Sequence, residues 1–205
     1  MGTDSVVIAC NTATAVAAGY LRDKYSVPII GMEPAVKPAV ETASEGEGRV
    51  LVMATPVTIR ENKLKNLIAR VDKSHKVDLL PMPGLVRFAE THQFDGEEID
   101  AYIEEQLAVF DKSKYSEVVL GCTHFNYFKP AIYKAFEGCS DKIDLIDGNI
   151  GTINQLAKIL GIRIKEYIAR GRTTENVRFY ESGRLVENTK KYDSLLERLE
   201  QVRNI

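Results

Sequence analysis

The sequence is short of positive charge, of long apolar runs and of cysteine, and each shortage excludes something. Its 27 lysine and arginine residues stand against 29 aspartate and glutamate residues, a formal net charge of −2. A general nucleic-acid binder needs a basic surplus to neutralise phosphates, so no nucleic-acid partner is expected. No apolar run approaches the roughly 18 residues that read as a membrane span, so no membrane partner is expected either. Met1-Gly2-Thr3-Asp4 lacks a basic region and leads at once into a strand, unlike a signal peptide. The three cysteines are an odd number without close pairing, which argues against a disulfide framework and for a reducing cytoplasm. What is left is 205 residues, 44% hydrophobic and 27% charged: enough for one large globular domain or two small ones.

Scarcity makes the placement of two cysteines informative. Asp4-Ser5-Val6-Val7-Ile8-Ala9-Cys10-Asn11-Thr12 and Ser116-Glu117-Val118-Val119-Leu120-Gly121-Cys122-Thr123-His124 align without a gap. Each is an apolar run closed by a small residue, a cysteine and polar side chains. Such runs suit strands buried on both faces of a parallel sheet. A residue just past the C-terminal end of such a strand lies where open α/β sheets place their ligands. A lone cysteine is usually a small buried hydrophobe. Two aligned ones, each followed by groups able to cap a helix, read as chemistry, because a helix N-terminus lowers a thiol pKa. Cys139 follows no strand and reads as a loop thiol.

Along the chain, strands alternate with helices of crossover length. Strands are expected near 27–32, 49–55, 76–80, 117–121, 143–148 and 177–183. Helices are expected near 13–25, 35–44, 61–71, 97–110, 125–136, 152–160 (extending to 163–170) and 189–202. This is an α/β protein of mostly parallel sheets, with boundaries near residues 34 and 144.

Several chemistries fit two such thiols. Cys10, Cys122 and His124 lack the CxxC or HxxxH spacing of structural zinc, and neither cysteine has the near neighbour of a redox dithiol. A cysteine hydrolase with Cys122 as nucleophile and His124 as base stays open, although it leaves the repeat unexplained. Inverting a stereocentre without a cofactor uses both thiols: one takes a proton from one face and the other returns one to the opposite face.

At these residues the sequence resembles the cofactor-independent aspartate/glutamate racemase family. The resemblance is carried by Ala9-Cys10-Asn11-Thr12-Ala13, Gly31-Met32-Glu33-Pro34, Gly121-Cys122-Thr123-His124-Phe125, Leu145-Ile146-Asp147-Gly148 and Tyr180-Glu181-Ser182-Gly183. His124 points to the glutamate branch, because aspartate racemases carry Glu there. The resemblance implies interconversion of L- and D-glutamate for peptidoglycan synthesis, without cofactor or metal, in a cytoplasmic homodimer. It implies Cys10 and Cys122 as the acid/base pair, assisted by His124. Asn11, Thr12, Thr55, Thr58 and Thr123 would bind substrate, and Glu90 matches a supporting glutamate. It further implies two similar doubly wound domains related by a pseudo-two-fold axis: residues 1–33 with 145–205, and 35–143. The family's opening Asp-Ser-Gly-Val-Gly-Gly segment is not found, so the first domain is expected to be incomplete and turnover low. A catalytically silent α/β remnant acting as a binding module is the competing expectation. His75 and His92 match nothing in the family and read as surface residues.

Overall fold

Strand β3 (Arg49–Ala54) shows why these apolar runs become buried strands. Side chains alternate across a sheet, and both faces here are covered. Leu51 and Met53 point into one core, shared with Leu85, Ile103, Phe125 and Ile132. Val50 and Val52 point into the other, with Val36, Ala39, Val40 and Leu64. In the computed structural model, residues 2–44, 47–139, 143–163 and 177–202 are described. The expected extension of the helix over 163–170 falls almost wholly outside them.

β3 is central in a four-stranded parallel sheet ordered β4 (Val77–Pro81), β3, β5 (Tyr115–Leu120), β6 (Asp144–Asp147). Helices α2 (Val36–Ser44) and α4 (Asn62–Val71) cover one face. The other is covered by α5 (Pro83–Glu90), α6 (Glu97–Leu107), a 3-10 helix (Thr123–Phe128) and α7 (Lys129–Phe136). A second, two-stranded parallel sheet pairs β1 (Val6–Ile8) with β2 (Ile29–Gly31) through the crossover helix α1 (Asn11–Lys24). At its C-terminal end Thr14 donates its hydroxyl to the Ile8 carbonyl, and a Cβ on Gly31 would lie 2.4 Å from Thr14 Cγ2. Glycine is therefore required where α1 closes onto β2. After β6 come α8 (Asn149–Leu160), a hairpin of β7 (Tyr180–Glu181) and β8 (Arg184–Leu185), and α9 (Lys190–Gln201).

The α/β class and the parallel sheets are as expected; several details are not. β1 is not buried on both faces: Val6 and Val7 are 37% and 39% exposed, because the sheet it belongs to has one other strand and no full covering layer among the described residues. β6 hydrogen-bonds along β5, so residues 144–147 join the four-stranded sheet. Residues 177–183 do not form one strand. Ser182 (φ 49°) and Gly183 (φ 79°) turn the chain back into an antiparallel hairpin, the twin left-handed pattern of a tight two-residue turn. The helix expected over 125–136 is a 3-10 helix followed by α7, which starts where Pro130 fits a first turn. Two helices went unread: α5 and the short α3 (Pro56–Arg60) both open on proline, which reads as a turn until the following residues are seen to pack.

Candidate active site

The ends of β3 and β5 lie side by side, and the contact there is backbone on backbone. Gly121 donates its N–H to the Met53 carbonyl at 2.7 Å, and a Cβ at Gly121 would stand 2.8 Å from that oxygen. Only glycine allows the approach that sets Cys122 beside Ala54 and Thr55 at the C-terminal edge of the sheet. Cys122 begins the 3-10 helix and is 7% exposed. Burial pushes its thiol up from an ordinary 9.0 to about 11; the backbone N–H of His124 opposes that rise, the neighbouring Cys10 adds to it, and the N–H of Phe125 opposes it. The expected lowering by the helix start is present but loses to desolvation.

Cys10 holds the equivalent place on the smaller sheet. It is the N-cap of α1, and its sulfur accepts the Ala13 N–H at 3.4 Å. The cap is thus the thiol itself rather than Asn11 or Thr12. Cys10 is partly exposed and close enough to Cys122 to act on its charge.

Between them stand the polar residues picked from the sequence. The Thr12 hydroxyl is 3.0 Å from those of both Thr55 and Thr58, and Thr55 donates its own to Thr58 at 3.0 Å. The three hydroxyls close a ring of mutual hydrogen-bond contacts. Thr55 also caps α3 by accepting the Thr58 N–H. Asn11 is 4% exposed, yet its Oδ1 has no hydrogen-bond partner. A buried amide oxygen left so is an acceptor awaiting a donor. Asn11 and Thr58 also line a cleft with Thr14, Met32, Pro34 and Leu64, at whose rim Lys63 and Glu33 pair at 2.7 Å. Thr123 is half-buried, and its carbonyl accepts from the Asn126 side chain.

His124 and Glu90 meet beside Cys122. Nδ1 of His124 is 3.6 Å from the Cys122 sulfur, and its Nε2 is 3.0 Å from Glu90 Oε1. With the carboxylate 68% exposed, this contact orients the ring more than it adds stability. The structure therefore brings together Cys10, Cys122 and His124 with Asn11, Thr12, Thr55, Thr58, Thr123 and Glu90. His75 and His92 lie apart on the surface, exposed and with positive φ. Sequence reasoning missed Lys63, Lys129 and Arg198. Lys129 is buried and sits 3.7 Å from Asp147 where β6 leads into α8. Each reads along the chain as an ordinary helix cation, so no local signal marked them. Among the described residues, no group of three or more His, Cys, Asp or Glu is placed to hold a metal ion, and no helix is long and apolar enough to cross a membrane.

Comparison with known proteins places this arrangement in company. Residues 1–156 match the family described as Asp/Glu/Hydantoin racemase. A glutamate racemase of Lachnospira eligens is 44% identical over 214 aligned residues, covering all of this chain and 77% of that protein. One from Campylobacter concisus is 44% identical over 207, covering all of this chain and 76% of its own length. The chain thus spans about three quarters of these relatives. Among solved structures, Escherichia coli glutamate racemase in complex with L-glutamate and the activator UDP-MurNAc-ala superposes with a TM-score of 0.63 at 30% identity, over 76% of this chain and 57% of that one.

Proposed function

The chain belongs to the Asp/Glu/hydantoin racemase family, and we propose that it interconverts L- and D-glutamate by proton transfer at Cα between Cys10 and Cys122. The observation that carries this reading is the placement of the two cysteines, one past the end of β1 at the start of α1 and one past the end of β5 at the start of the 3-10 helix, with the Thr12, Thr55 and Thr58 hydroxyls joining the two sheets at those ends. In each turnover one cysteine is a thiolate that takes the Cα proton, leaving the electron pair on the substrate as a carbanion delocalised into its carboxylate. The other is a thiol that delivers its proton to the opposite face. The next turnover in the reverse direction exchanges their roles. A thiol at about 11 is protonated at neutral pH, so Cys122 is the proton donor of the unliganded site. His124, oriented by Glu90, then stabilises the thiolate that Cys122 becomes.

The same reading gives the remaining polar groups their work. A glutamate carboxylate entering beside Thr12, Thr55 and Thr58 opens the hydroxyl ring and takes its hydrogens. The unpartnered Asn11 Oδ1 accepts from the substrate ammonium, and Thr123 borders the site from the Cys122 side. Residues 1–33 with the segment after Asp147 would form one domain and 35–147 the other, with substrate between them. The peptidoglycan role, a cytoplasmic setting and a homodimer follow from the family reading. Exposed apolar side chains on α1 and α8, Val16 (65%), Tyr20 (64%) and Ile150 (73%), support self-association.

A cysteine hydrolase has one observation in its favour, the Cys122–His124–Glu90 order of nucleophile, base and orienting carboxylate. One experiment separates the two readings. Exchange of the Cα hydrogen in deuterium oxide is followed with each glutamate enantiomer, for the native chain and for Cys10→Ala. The racemase reading expects exchange with both enantiomers in the native chain and loss with one in the variant. No exchange with either enantiomer overturns it, and a hydrolase tolerates the change at Cys10.

A further inference from the structure

Arg198, near the end of α9, is distant in sequence from every residue of the site, yet it is among the most engaged cations in the chain. Its guanidinium donates to the Tyr127 carbonyl through Nε at 3.3 Å and through a terminal nitrogen at 3.2 Å. The same terminal nitrogen reaches the Phe94 carbonyl at 3.3 Å and Asp95 Oδ1 at 2.6 Å. The fork lies over the Phe94 ring at 5.9 Å, and Phe94 in turn packs on Tyr127 with centroids 4.7 Å apart. The Arg198 side chain is 15% exposed, so these contacts are largely shielded from water.

What this fork ties together gives it meaning. Tyr127 sits one turn after His124 in the 3-10 helix, and its carbonyl lies where a short helix runs out of internal partners. Phe94 and Asp95 sit in the turn that follows α5, only a few residues beyond Glu90. The contact between His124 and Glu90 is a single exposed pair joining these same two segments. Such a pair cannot hold its own geometry against side-chain entropy. A planar fork gripping both backbones can, because guanidinium binds several acceptors in a fixed arrangement.

We propose that Arg198 is a positioning residue: by clamping the turn after α5 to the 3-10 helix, it holds Glu90 on His124 and His124 on Cys122. It touches no reacting atom itself. This rests on the reading of Cys122 as a proton-transfer group, and it makes α9 part of the machinery for one thiol and not the other. Among the described residues no arginine fork of this kind braces Cys10, whose sulfur is set by the first turn of α1. Among the described residues, the titratable groups that act on Cys122 are Cys10 and His124, and Glu90 faces His124. The charged group facing Arg198 is Asp95.

The test reads each cysteine separately and needs no turnover. Rates of alkylation by iodoacetamide at Cys10, Cys122 and Cys139 are followed by mass spectrometry across pH in the native chain, Arg198→Ala, Glu90→Gln and the double variant. With His124 no longer held, the Cys122 thiolate loses a stabilising neighbour. Its midpoint in Arg198→Ala should then rise by about one pH unit, the scale of one lost partner. Glu90→Gln should raise it likewise. The double variant should add little, since both changes break the same chain of contacts. The Cys10 profile should stay put. A Cys122 midpoint unmoved in Arg198→Ala, equal movement at both cysteines (the mark of general loosening), or full additivity with Glu90→Gln overturns the proposal. If Arg198→Ala does not fold, Arg198→Lys carries the test: one ammonium cannot span both carbonyls and the carboxylate. The midpoint should then move the same way by less, and no movement overturns the idea. A chain that alkylates as expected but exchanges no Cα hydrogen would fail the racemase reading alone.

Discussion

The hydroxyl of Thr12, in the first turn of α1, stands 3.0 Å from the hydroxyl of Thr55, at the tip of β3. Neither belongs to the other's sheet, so this contact joins the two parallel sheets at the point where their cysteines converge. Under the proposed function it is also an interaction that the entering glutamate carboxylate would break. Thr12→Val should raise the KM for glutamate by about 10- to 100-fold, the equivalent of 1.5–3 kcal/mol for a hydrogen bond to a charged group. kcat should change much less, and steady-state rates with each enantiomer measure the split. Equal loss in kcat and kcat/KM, with KM unchanged, would mean the hydroxyl serves the transition state alone.

Cys122 makes stability depend on pH in a defined window. Its folded pKa, about 11, lies above the ordinary 9.0, so the folded state holds this proton more tightly than the unfolded chain. The stabilisation is therefore complete below pH 9.0 and lost as pH rises towards 11, a change on the order of 3 kcal/mol. Urea midpoints measured from pH 8 to about 11 should fall in the native chain and flatten in Cys122→Ala. An unchanged slope in the variant would place the alkaline loss elsewhere.

Gly148 marks the close passage of the two connections between the sheets. A Cβ there would meet the Glu33 carbonyl oxygen at 2.4 Å and Met32 Cγ at 3.2 Å. Because the nearest obstacle is backbone, it cannot swing aside. Gly148→Ala should destabilise the protein by about 1–3 kcal/mol in urea titration, the usual cost of overpacking. Gly151→Ala, three residues on in the first turn of α8, where a Cβ would meet nothing within 4 Å, is the control. Equal stability of the two variants would show that the passage is looser than the distances imply.

Asp147 and Lys129 are 15% and 11% exposed as side chains and approach to 3.7 Å. Asp147 also accepts the Asn149 N–H at 2.8 Å, setting the start of α8. Asp147→Asn keeps that acceptor but removes the charge opposite a buried ammonium. A loss of about 1–3 kcal/mol, read by chemical denaturation, is expected as this largely shielded ion pair is weakened. A loss below about 0.5 kcal/mol would class the pair with exposed ion pairs.

Much of this protein is legible along the chain. The Val-rich runs of β3 and β5, the helices between them, and the motif residues Cys10, Cys122 and His124 all stand out locally, because backbone periodicity and side-chain type are properties of neighbours in sequence. Burial is different. Val6-Val7-Ile8 and Val118-Val119-Leu120 read alike, yet Val6 is 37% exposed and Val118 wholly buried, since exposure depends on which strands and helices arrive from elsewhere. The prolines that open α3 and α5 mislead for a related reason: a first-turn proline and a turn proline have the same φ, and only packing against Tyr102, which accepts the Gly84 N–H, distinguishes them.

Sequence by itself determined the alternation of strand and helix, the pairing of two cysteine motifs, and the residue types a proton-transfer site needs. Only the tertiary structure decided that β6 joins the sheet of β5, that Thr12 meets Thr55 and Thr58, and that Glu90 reaches His124 while Arg198 grips carbonyls 71 and 104 residues away. The physical reason is range: propensity and periodicity act over a few residues, whereas hydrogen bonds and burial act between whatever the folded chain sets side by side.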